Sequence, residues 1–309
     1  MSEFRFFDSR QKYLLFVTTT NEKAVISQKI SPIVKSIIPK KPALKIFDAG
    51  LGDGTLLMNV LRDCHREFPT IPFLVTGKEV SMEDVRLTIE KLSDRFVEHP
   101  NMVFVLTNLH YNEAAFLKSK NLEKQKNMMV EKVPLYGKSS HEFNTQLNNL
   151  DSLLKDTWQV ERNSKNGNTT YKQPSIIIIY RKDHDMSLDH IIPKVDDKKI
   201  NYDLIIASQP YRSRISEKQK VNYVIKPMIE SLKNNGKLIV THAFGNDPAT
   251  ELVKKLWPDD DPFPTLGNKI INYLKENLDK SLLQNLIFHK PEVFKYNLRA
   301  LPNEIENGI

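Results

Sequence analysis

The segment from Phe47 to Thr55 reads F-D-A-G-L-G-D-G-T, and its three glycines alternate at Gly50, Gly52 and Gly54. A short apolar run at 44–47 precedes it, and a helical pattern follows it from residue 56. The glycines therefore belong to a strand-to-helix turn. Such a turn is typical of α/β folds that bind a ligand where a strand ends and a helix begins.

The spacing of the glycines limits which classes of ligand this turn can bind. A dinucleotide fingerprint requires G-x-G-x-x-G, and a phosphate-binding P-loop ends in Gly-Lys-Ser/Thr, whereas Thr55 and Leu56 follow Gly54 here. A pyrophosphate at the helix start would also meet Asp53 as a like charge. A nucleoside that carries a positive charge and no phosphate would not be repelled. The alternative is a tight turn without any ligand.

An acid followed by G-x-G-x-G resembles motif I of the class I S-adenosylmethionine-dependent methyltransferases. The resemblance implies a doubly wound, mostly parallel Rossmann-like sheet that binds S-adenosylmethionine as cofactor. The motif residues that it assigns to the cofactor are Asp48, Gly50, Gly52, Asp53 and Gly54. Glycines at such a contact let the backbone approach the cofactor closely, because they lack a Cβ atom.

Two later strand ends extend this comparison. The run 73–79 reads as a second strand that ends in Glu79, and the run 102–106 reads as a third strand followed by Asn108. In the family pattern the first position binds the ribose hydroxyls and the second helps to hold the adenine. Glu79 can instead be a helix-start carboxylate, and Asn108 can be a simple turn residue.

Residues 111–200 are too many for a bare connection between strands three and four, so we expect an insertion that forms a lid or subdomain. A structural elaboration or an oligomer contact is the alternative. The insertion contains a helical pattern at 112–126, an amphipathic pattern from Phe143 to Trp158, a turn at 163–168 and a strand at 175–180 of uncertain placement.

The rest of the chain is divided around this insertion. Residues 1–42 are predicted to form an N-terminal helical cap, in which Tyr13 or Phe16 can face a sulfonium, and 43–309 the cofactor-binding domain. A fifth strand at 236–240 follows a helix that stops near Gly236. A helix from Asp247 comes next, and the apolar runs 286–288 and 293–296 are candidates for antiparallel strands that close the sheet.

The fourth strand, 202–207, is followed by Ser208-Gln209-Pro210-Tyr211. This resembles in part the Asn/Asp/Ser-Pro-Pro-Tyr/Phe motif of amino-directed methyltransferases, with Gln209 in place of the first proline. The resemblance implies catalytic roles for Ser208 and Tyr211 at the amine. His242 follows strand five and is a candidate general base. A strand-ending turn, a packing tyrosine and a polar lining histidine are the alternatives.

Composition limits the partners. The net charge is +7, but the basic residues are mostly lysines spread along the chain, which favours a solvated surface over a nucleic-acid site. The single Cys64 excludes an intrachain disulfide. The first residues resemble neither a signal peptide nor a membrane span, so a cytoplasmic location is expected. Asp183, His184, Asp185 and the pair Asp189-His190 read as a charged loop and not as a metal site.

The sequence thus predicts an enzyme that transfers a methyl group from S-adenosylmethionine to an unidentified acceptor. An amine of a small molecule or peptide is slightly favoured. Aminopropyl transfer from decarboxylated S-adenosylmethionine is an alternative, because related enzymes share the Gly-Asp-Gly turn. A non-catalytic, RNA-associated or regulatory protein that binds the cofactor is another.

Overall fold

The structure is a computed structural model, and it describes residues 19–162, 169–194, 200–211, 215–243, 255, 258, 267–297 and 299. Several predictions concern residues outside these ranges: the aromatic contacts of Tyr13 and Phe16 and the turn at 163–168. The helix from Asp247 lies almost wholly outside them as well.

Regular elements follow one another in the order expected of an α/β chain. The strands are β1 (Leu44–Asp48), β2 (Phe73–Lys78), β3 (Met102–Thr107), β4 (Met129–Leu135), β5 (Val160–Arg162), β6 (Thr169–Tyr171), β7 (Ser175–Arg181), β8 (Tyr202–Ser208) and β9 (Leu232–Thr241). The helices are α1 (Glu22–Lys35), α2 (Thr55–Glu67), α3 (Met82–Glu90), α4 (Leu92–Glu98), α5 (Tyr111–Ala114), α6 (Leu122–Lys126), α7 (Ser140–Asn148), α8 (Asp151–Thr157), α9 (Asp185–Leu188), α10 (Glu217–Lys220), α11 (Lys226–Glu230), α12 (Gly267–Asn277) and α13 (Lys280–Leu283). A π-helical turn, Val221–Ile225, joins α10 to α11.

Seven strands form one sheet in the order β4-β7-β3-β2-β1-β8-β9. Every neighbouring pair is parallel except β3 and β7, which are antiparallel. From β1 the chain first proceeds outward to β2 and β3 and later returns to β8 on the other side of β1. The strand order therefore reverses between β1 and β8, which is where doubly wound sheets bind ligands. The architecture is α/β and compatible with a Rossmann-like fold.

Both faces of the sheet are buried, which explains the nearly continuous apolar runs of its strands. One face packs on α1, α2, α3, α4, α7 and α8, and includes Ile46, Leu57 and Phe143. The opposite face packs on α5, α9 and α11, and includes Phe47 and Met228. Neighbouring residues of β1 thus point into different apolar clusters, as the period of two in a strand requires.

The N-terminal helix that the structure describes, α1, belongs to one of these layers. Ile26, Ile30 and Val34 are buried in the same cluster as the apolar side of α2. Their spacing of four residues places them on one face of α1. The helix thereby brings its first turn, with Glu22 and Lys23, toward the carboxyl edge of the sheet.

Much of the insertion is part of the central sheet. Its strands β7 and β4 extend the sheet beyond β3, and β5 pairs with β6 in a separate two-stranded hairpin. The helical pattern at 112–126 gives only the short helices α5 and α6, and the pattern from Phe143 is divided between α7 and α8. The described part of residues 111–200 therefore extends the sheet by two strands and adds a small hairpin.

Two further predictions about elements are wrong. Residues 286–288 and 293–296 form no strand, and the antiparallel strand of the sheet is β7. The helix before β9 ends at Glu230 and not near Gly236, because β9 already begins at Leu232 with a register irregularity next to β8. Among the residues that the structure describes, no helix has the length and apolarity to cross a bilayer.

Candidate functional site

The parallel strands carry the predicted site residues to one edge of the sheet. Asp48 ends β1, Glu79 follows β2, Asn108 follows β3, Ser208 ends β8 and His242 follows β9. Because these five strands are mutually parallel, their carboxyl ends lie side by side. The tertiary structure thus assembles at one edge what the sequence distributes over almost two hundred residues.

The glycine turn needs each of its outer glycines for a different close approach. A Cβ atom on Gly50 would lie 3.0 Å from the carbonyl oxygen of Ser208, so this glycine lets the end of β8 approach β1. A Cβ atom on Gly54 would lie 2.7 Å from Thr88 Oγ1 in α3. Gly52 and Gly54 also have φ of 55° and 76°, in the left-handed region that favours glycine.

Asp48 is a buried carboxylate that is only half satisfied. One oxygen, Oδ1, accepts a hydrogen bond of 3.0 Å from the N–H of Gly50. The other, Oδ2, has no hydrogen-bond partner among the described residues, although Asp48 is only 1% exposed. Burial raises the pKa of Asp48 to about 6, the Gly50 hydrogen bond and Lys23 oppose this, and Glu79 adds to it. Buried polar atoms are normally paired, so the unpaired oxygen points to a function.

Glu79, which follows the neighbouring strand β2, is hydrogen-bonded to the glycine turn. Its Oε2 accepts from the N–H of Gly52 at 2.7 Å, and its Oε1 accepts from the N–H groups of Val80 at 2.7 Å and Ser81 at 2.8 Å. An ionised carboxylate offers about four lone-pair sites. Three are occupied, so Glu79 retains one acceptor position on Oε2. It can accept one further hydrogen-bond donor in this arrangement.

Asp53 is paired inside the protein. Its carboxylate accepts from Thr55 Oγ1 at 2.5 Å and from Lys91 Nζ at 2.9 Å, and Lys91 also donates to the Asp53 carbonyl at 2.6 Å. Burial alone would raise the pKa of Asp53, but the hydrogen bonds from Thr55 and Lys91 outweigh burial and lower it. Lys91 largely neutralises this charge, so the argument against phosphate now depends on Asp48 and Glu79.

Asn108 connects the insertion to the sheet. Its Nδ2 donates to the carbonyls of Thr157 at 2.7 Å and Gln173 at 2.8 Å, and its Oδ1 accepts from the N–H of Ser175 at 2.8 Å. Both amide hydrogens are therefore used. In this arrangement Asn108 has no donor left for an adenine ring, and its visible role is structural.

The segment after β8 is held by its neighbours. The hydroxyl of Ser208 accepts from Thr241 Oγ1 at 3.0 Å, and the carbonyl of Pro210 accepts from the Tyr111 hydroxyl. Gln209 has a φ of 51°, an uncommon conformation for a residue with a side chain. The Pro210 carbonyl is thus engaged within the chain.

Tyr211 and His242 lie together as the sequence suggested. The Tyr211 hydroxyl lies 3.4 Å from His242 Nδ1, and burial raises the pKa of Tyr211. Burial and the nearby Lys220 lower the pKa of His242. His242 is therefore neutral at physiological pH and can accept a proton.

Sequence reasoning missed several residues at this edge. Lys23 lies close enough to the turn to lower the pKa values of Asp48 and Asp53. Lys78 is 3% exposed, its Nζ lies 4.6 Å from the ring centroid of Tyr111, and burial lowers its pKa to about 8. A lysine that ends an apolar strand was the available signal for Lys78. No sequence pattern indicated that Lys23 lies near the glycine turn.

A cavity of about 280 Å³ adjoins this edge at the ends of β8 and β9. It is lined by Glu22, Ile26, Gln209, Val240, Thr241, His242, Ala243, Gly267, Asn268 and residues 290–296. A second cavity of about 390 Å³ lies between α3, α7 and α8, where it contacts Arg86 and Asp151. We consider the first cavity the relevant one, because it lies beside the strand ends and contains His242.

The acidic and histidine-rich loop after β7 makes ordinary surface contacts. Asp183 pairs with Arg181 at 2.6 Å, Asp185 pairs with Lys182 at 2.6 Å, and His184 Nδ1 lies 2.7 Å from Asn101 Oδ1. Asp189 pairs with Lys194 at 3.0 Å. Across the described ranges, no cluster of three or more histidine, cysteine or acidic side chains is arranged to hold a metal ion.

Comparison with known proteins adds no assignment. No model of a known protein family matches the chain, and no curated protein is significantly similar to it. The functional argument therefore depends on the fold and on this site.

Proposed function

We propose that the protein binds S-adenosylmethionine at the carboxyl edge between β1 and β8 and transfers its methyl group to an acceptor. One observation carries the proposal: Asp48 is a buried carboxylate with an unpaired oxygen, next to two glycines of positive φ, where the strand order reverses. A buried charge without a full set of partners is unfavourable. It is explained if a polar or cationic ligand completes it.

The residues present fit this cofactor. Asp48 Oδ2 and the remaining acceptor position of Glu79 Oε2 can receive hydrogen-bond donors from its amino group and its ribose. Two carboxylates also favour a ligand with a positive centre over a diphosphate. Lys23 places a positive charge beside the turn, which favours a donor that keeps its carboxylate over the decarboxylated donor of aminopropyl transfer.

Methyl transfer requires little acid–base catalysis from the protein. When bound, the cofactor supplies an activated methyl group on a sulfonium. A lone pair of the acceptor would form a bond to this methyl carbon while the carbon–sulfur bond breaks and its electron pair stays on sulfur. The acceptor loses a proton, for which the neutral His242 ring is the candidate base. The remaining contribution of the chain is proximity and alignment.

Calorimetric titration with S-adenosylmethionine tests the proposal. We expect binding by the unmodified protein and at least tenfold weaker binding by Asp48→Asn and by Gly52→Ala, with Asp189→Asn as a control on an exposed carboxylate. Circular dichroism checks that each variant is folded. Unchanged affinity in both turn variants would contradict the proposal, as would tighter binding of a dinucleotide than of S-adenosylmethionine.

A further inference from the structure

The cavity of about 280 Å³ beside β8 and β9 is small and has a definite outer wall. Residues 290–297, which we name the strap, supply seven of its lining positions, 290–296. Ligand pockets for drug-sized molecules span about 300–1,000 Å³. A cavity at the lower limit of that range accommodates a small molecule, and not a folded protein surface or a nucleic-acid strand.

The strap is fixed to α1 at two points. The N–H of Asn21 donates to the carbonyl of Asn297 at 3.0 Å, and the N–H of Asn297 donates to Asn21 Oδ1 at 2.7 Å. Lys29 Nζ pairs with Glu292 Oε2 at 3.1 Å. These contacts hold the outer wall against the same helix that supplies Glu22. The cavity is therefore a built feature of the fold with walls of defined position.

Glu22 is the buried charge of this cavity. Its carboxylate belongs to a residue that is 7% exposed, and Gln209 Nε2 donates to its Oε1 at 3.2 Å. Gln209 is a neutral partner, so the negative charge of Glu22 is solvated by an amide but not balanced by it. Gln209 makes this contact from a left-handed backbone conformation, and such strain is typical of functional sites.

The exposed charged residues of the cavity attract or repel a charged ligand less strongly than Glu22 does. Lys290, Glu292 and Lys295 are exposed, and water and salt screen exposed charges. Glu292 is moreover paired with Lys29. His242 is half-buried and its pKa is lowered, so it adds a neutral ring. Among the lining residues Glu22 is the buried acid, so the Glu22 side of the cavity attracts a cation, whereas the buried Lys220 acts on the His242 side.

We propose that this cavity binds a small molecule through a positively charged amino group that pairs with Glu22. The inference builds on the proposed function, because such a molecule is then the methyl acceptor and lies one strand away from the glycine turn. Gln209 connects the two places: it contacts Glu22, and its neighbour Pro210 approaches Gly50. The acceptor class becomes a small amine, in place of a protein side chain or RNA, and its ammonium first gives one proton to the neutral His242 ring of the same cavity, which frees the lone pair that receives the methyl group.

The test uses three probes of similar size and different charge: phenethylamine, 2-phenylethanol and 3-phenylpropanoate. Each is titrated into the full-length protein without S-adenosylmethionine, by calorimetry or by ligand-observed NMR. We expect phenethylamine to bind at least tenfold more tightly than the alcohol, and the carboxylate to bind most weakly. Equal binding of amine and alcohol would overturn the proposal, and so would preferential binding of the carboxylate.

Two variants assign the effect to a residue. Glu22→Gln keeps the shape of the side chain and is expected to abolish the preference for the amine, while the alcohol binds as before. Asp189→Asn removes an exposed carboxylate outside the cavity and is expected to change amine affinity less than twofold. Melting temperatures of both variants show whether the cavity is intact. An unchanged preference in a folded Glu22→Gln variant would refute the role of Glu22.

The outcome also separates this inference from the proposed function. Amine binding that depends on Glu22, without any binding of S-adenosylmethionine, would retain the cavity and reject methyl transfer. Binding of S-adenosylmethionine without an amine preference would retain the cofactor site and reject the amine acceptor. Methyl transfer to RNA or to a peptide in preference to small amines would likewise reject the acceptor class proposed for the cavity.

Discussion

Two buried aspartates at opposite ends of neighbouring strands have opposite surroundings. Asp203, at the amino end of β8, pairs with Lys233 Nζ at 2.9 Å and accepts from the N–H of Lys45 in β1 at 2.9 Å. Asp48, at the carboxyl end of β1, keeps one oxygen unpaired. Both residues are less than 5% exposed.

The difference shows how stability and function are divided between the two edges of this sheet. At the amino edge the buried Asp203 has its partners within the chain, so it joins β1 to β8. At the carboxyl edge the chain leaves a charge incompletely solvated, which lowers the stability of the folded state. A protein retains such a group where a ligand completes it, and perturbed carboxylates are accordingly enriched at functional sites.

The largest expected effect belongs to the amino edge. Asp203→Ala removes the partner of Lys233 and the acceptor of the Lys45 N–H, and the loss of one member of a buried pair lowers the free energy of unfolding by roughly 3–5 kcal/mol. Urea unfolding at pH 7.5 measures it. If the comparison is correct, the fraction that remains folded binds S-adenosylmethionine normally. A loss below 1 kcal/mol would show that Asp203 is no anchor.

Asp48→Asn should raise the free energy of unfolding, whereas Asp203→Ala lowers it. The folded state raises the pKa of Asp48 from 3.8 to about 6, so it favours the protonated form, and ionisation lowers stability as the pH rises through 6. That penalty is about 3 kcal/mol above pH 7. The new amide leaves its N–H groups unpaired, which offsets part of the gain, so we expect a net increase of about 1–2 kcal/mol at pH 8. The increase should vanish near pH 4, in urea unfolding at both pH values.

A variant that is less stable than the wild type at pH 8 would contradict this account of Asp48. The matched substitution Asp203→Asn serves as the control, because it removes a carboxylate that has its partners and should lower stability at the same pH.

The smallest effect concerns Asp53, a carboxylate of the turn that has its own cation. Lys91→Met removes the ion pair, but the Lys91 side chain is 37% exposed, so we expect a loss of less than about 1 kcal/mol. The lowered pKa of Asp53 should rise in this variant, because Lys91 is one of its causes. NMR titration of the Asp53 carboxyl carbon measures this. An unchanged pKa would mean that Thr55 and Lys23 account for the lowering without Lys91.

A good part of the fold was predictable, because it is locally encoded. The apolar runs of β1, β2, β3 and β8 and the helix after the glycines follow from period and composition. The placement of β7 was not predictable, since its antiparallel pairing with β3 joins residues about seventy positions apart. The two sheet strands within the insertion were not predictable for the same reason, because the unpaired edge of β3 can form hydrogen bonds with any distant segment that is able to pair with it.

The candidate site was likewise predictable from the sequence only in part. The sequence identified Asp48, the glycines and Glu79 as residues of one turn and one neighbouring strand end, and the structure places them together. It could not show that three N–H groups already occupy Glu79, that Lys91 pairs with Asp53, or that Asn108 holds the insertion. These contacts reach over 27 to 67 positions of the chain wherever they cross between elements.

The sequence by itself determined the strand, the glycine turn and the helix, because backbone conformation at glycines and the apolar period are properties of consecutive residues. Only the tertiary structure decided which charges are buried and which of them find a partner. Burial and pairing depend on segments far apart in the chain, such as α1 at Gln209 and β8 at Gly50. That is why the unpaired oxygen of Asp48 and the buried carboxylate of Glu22 became visible only in the folded protein.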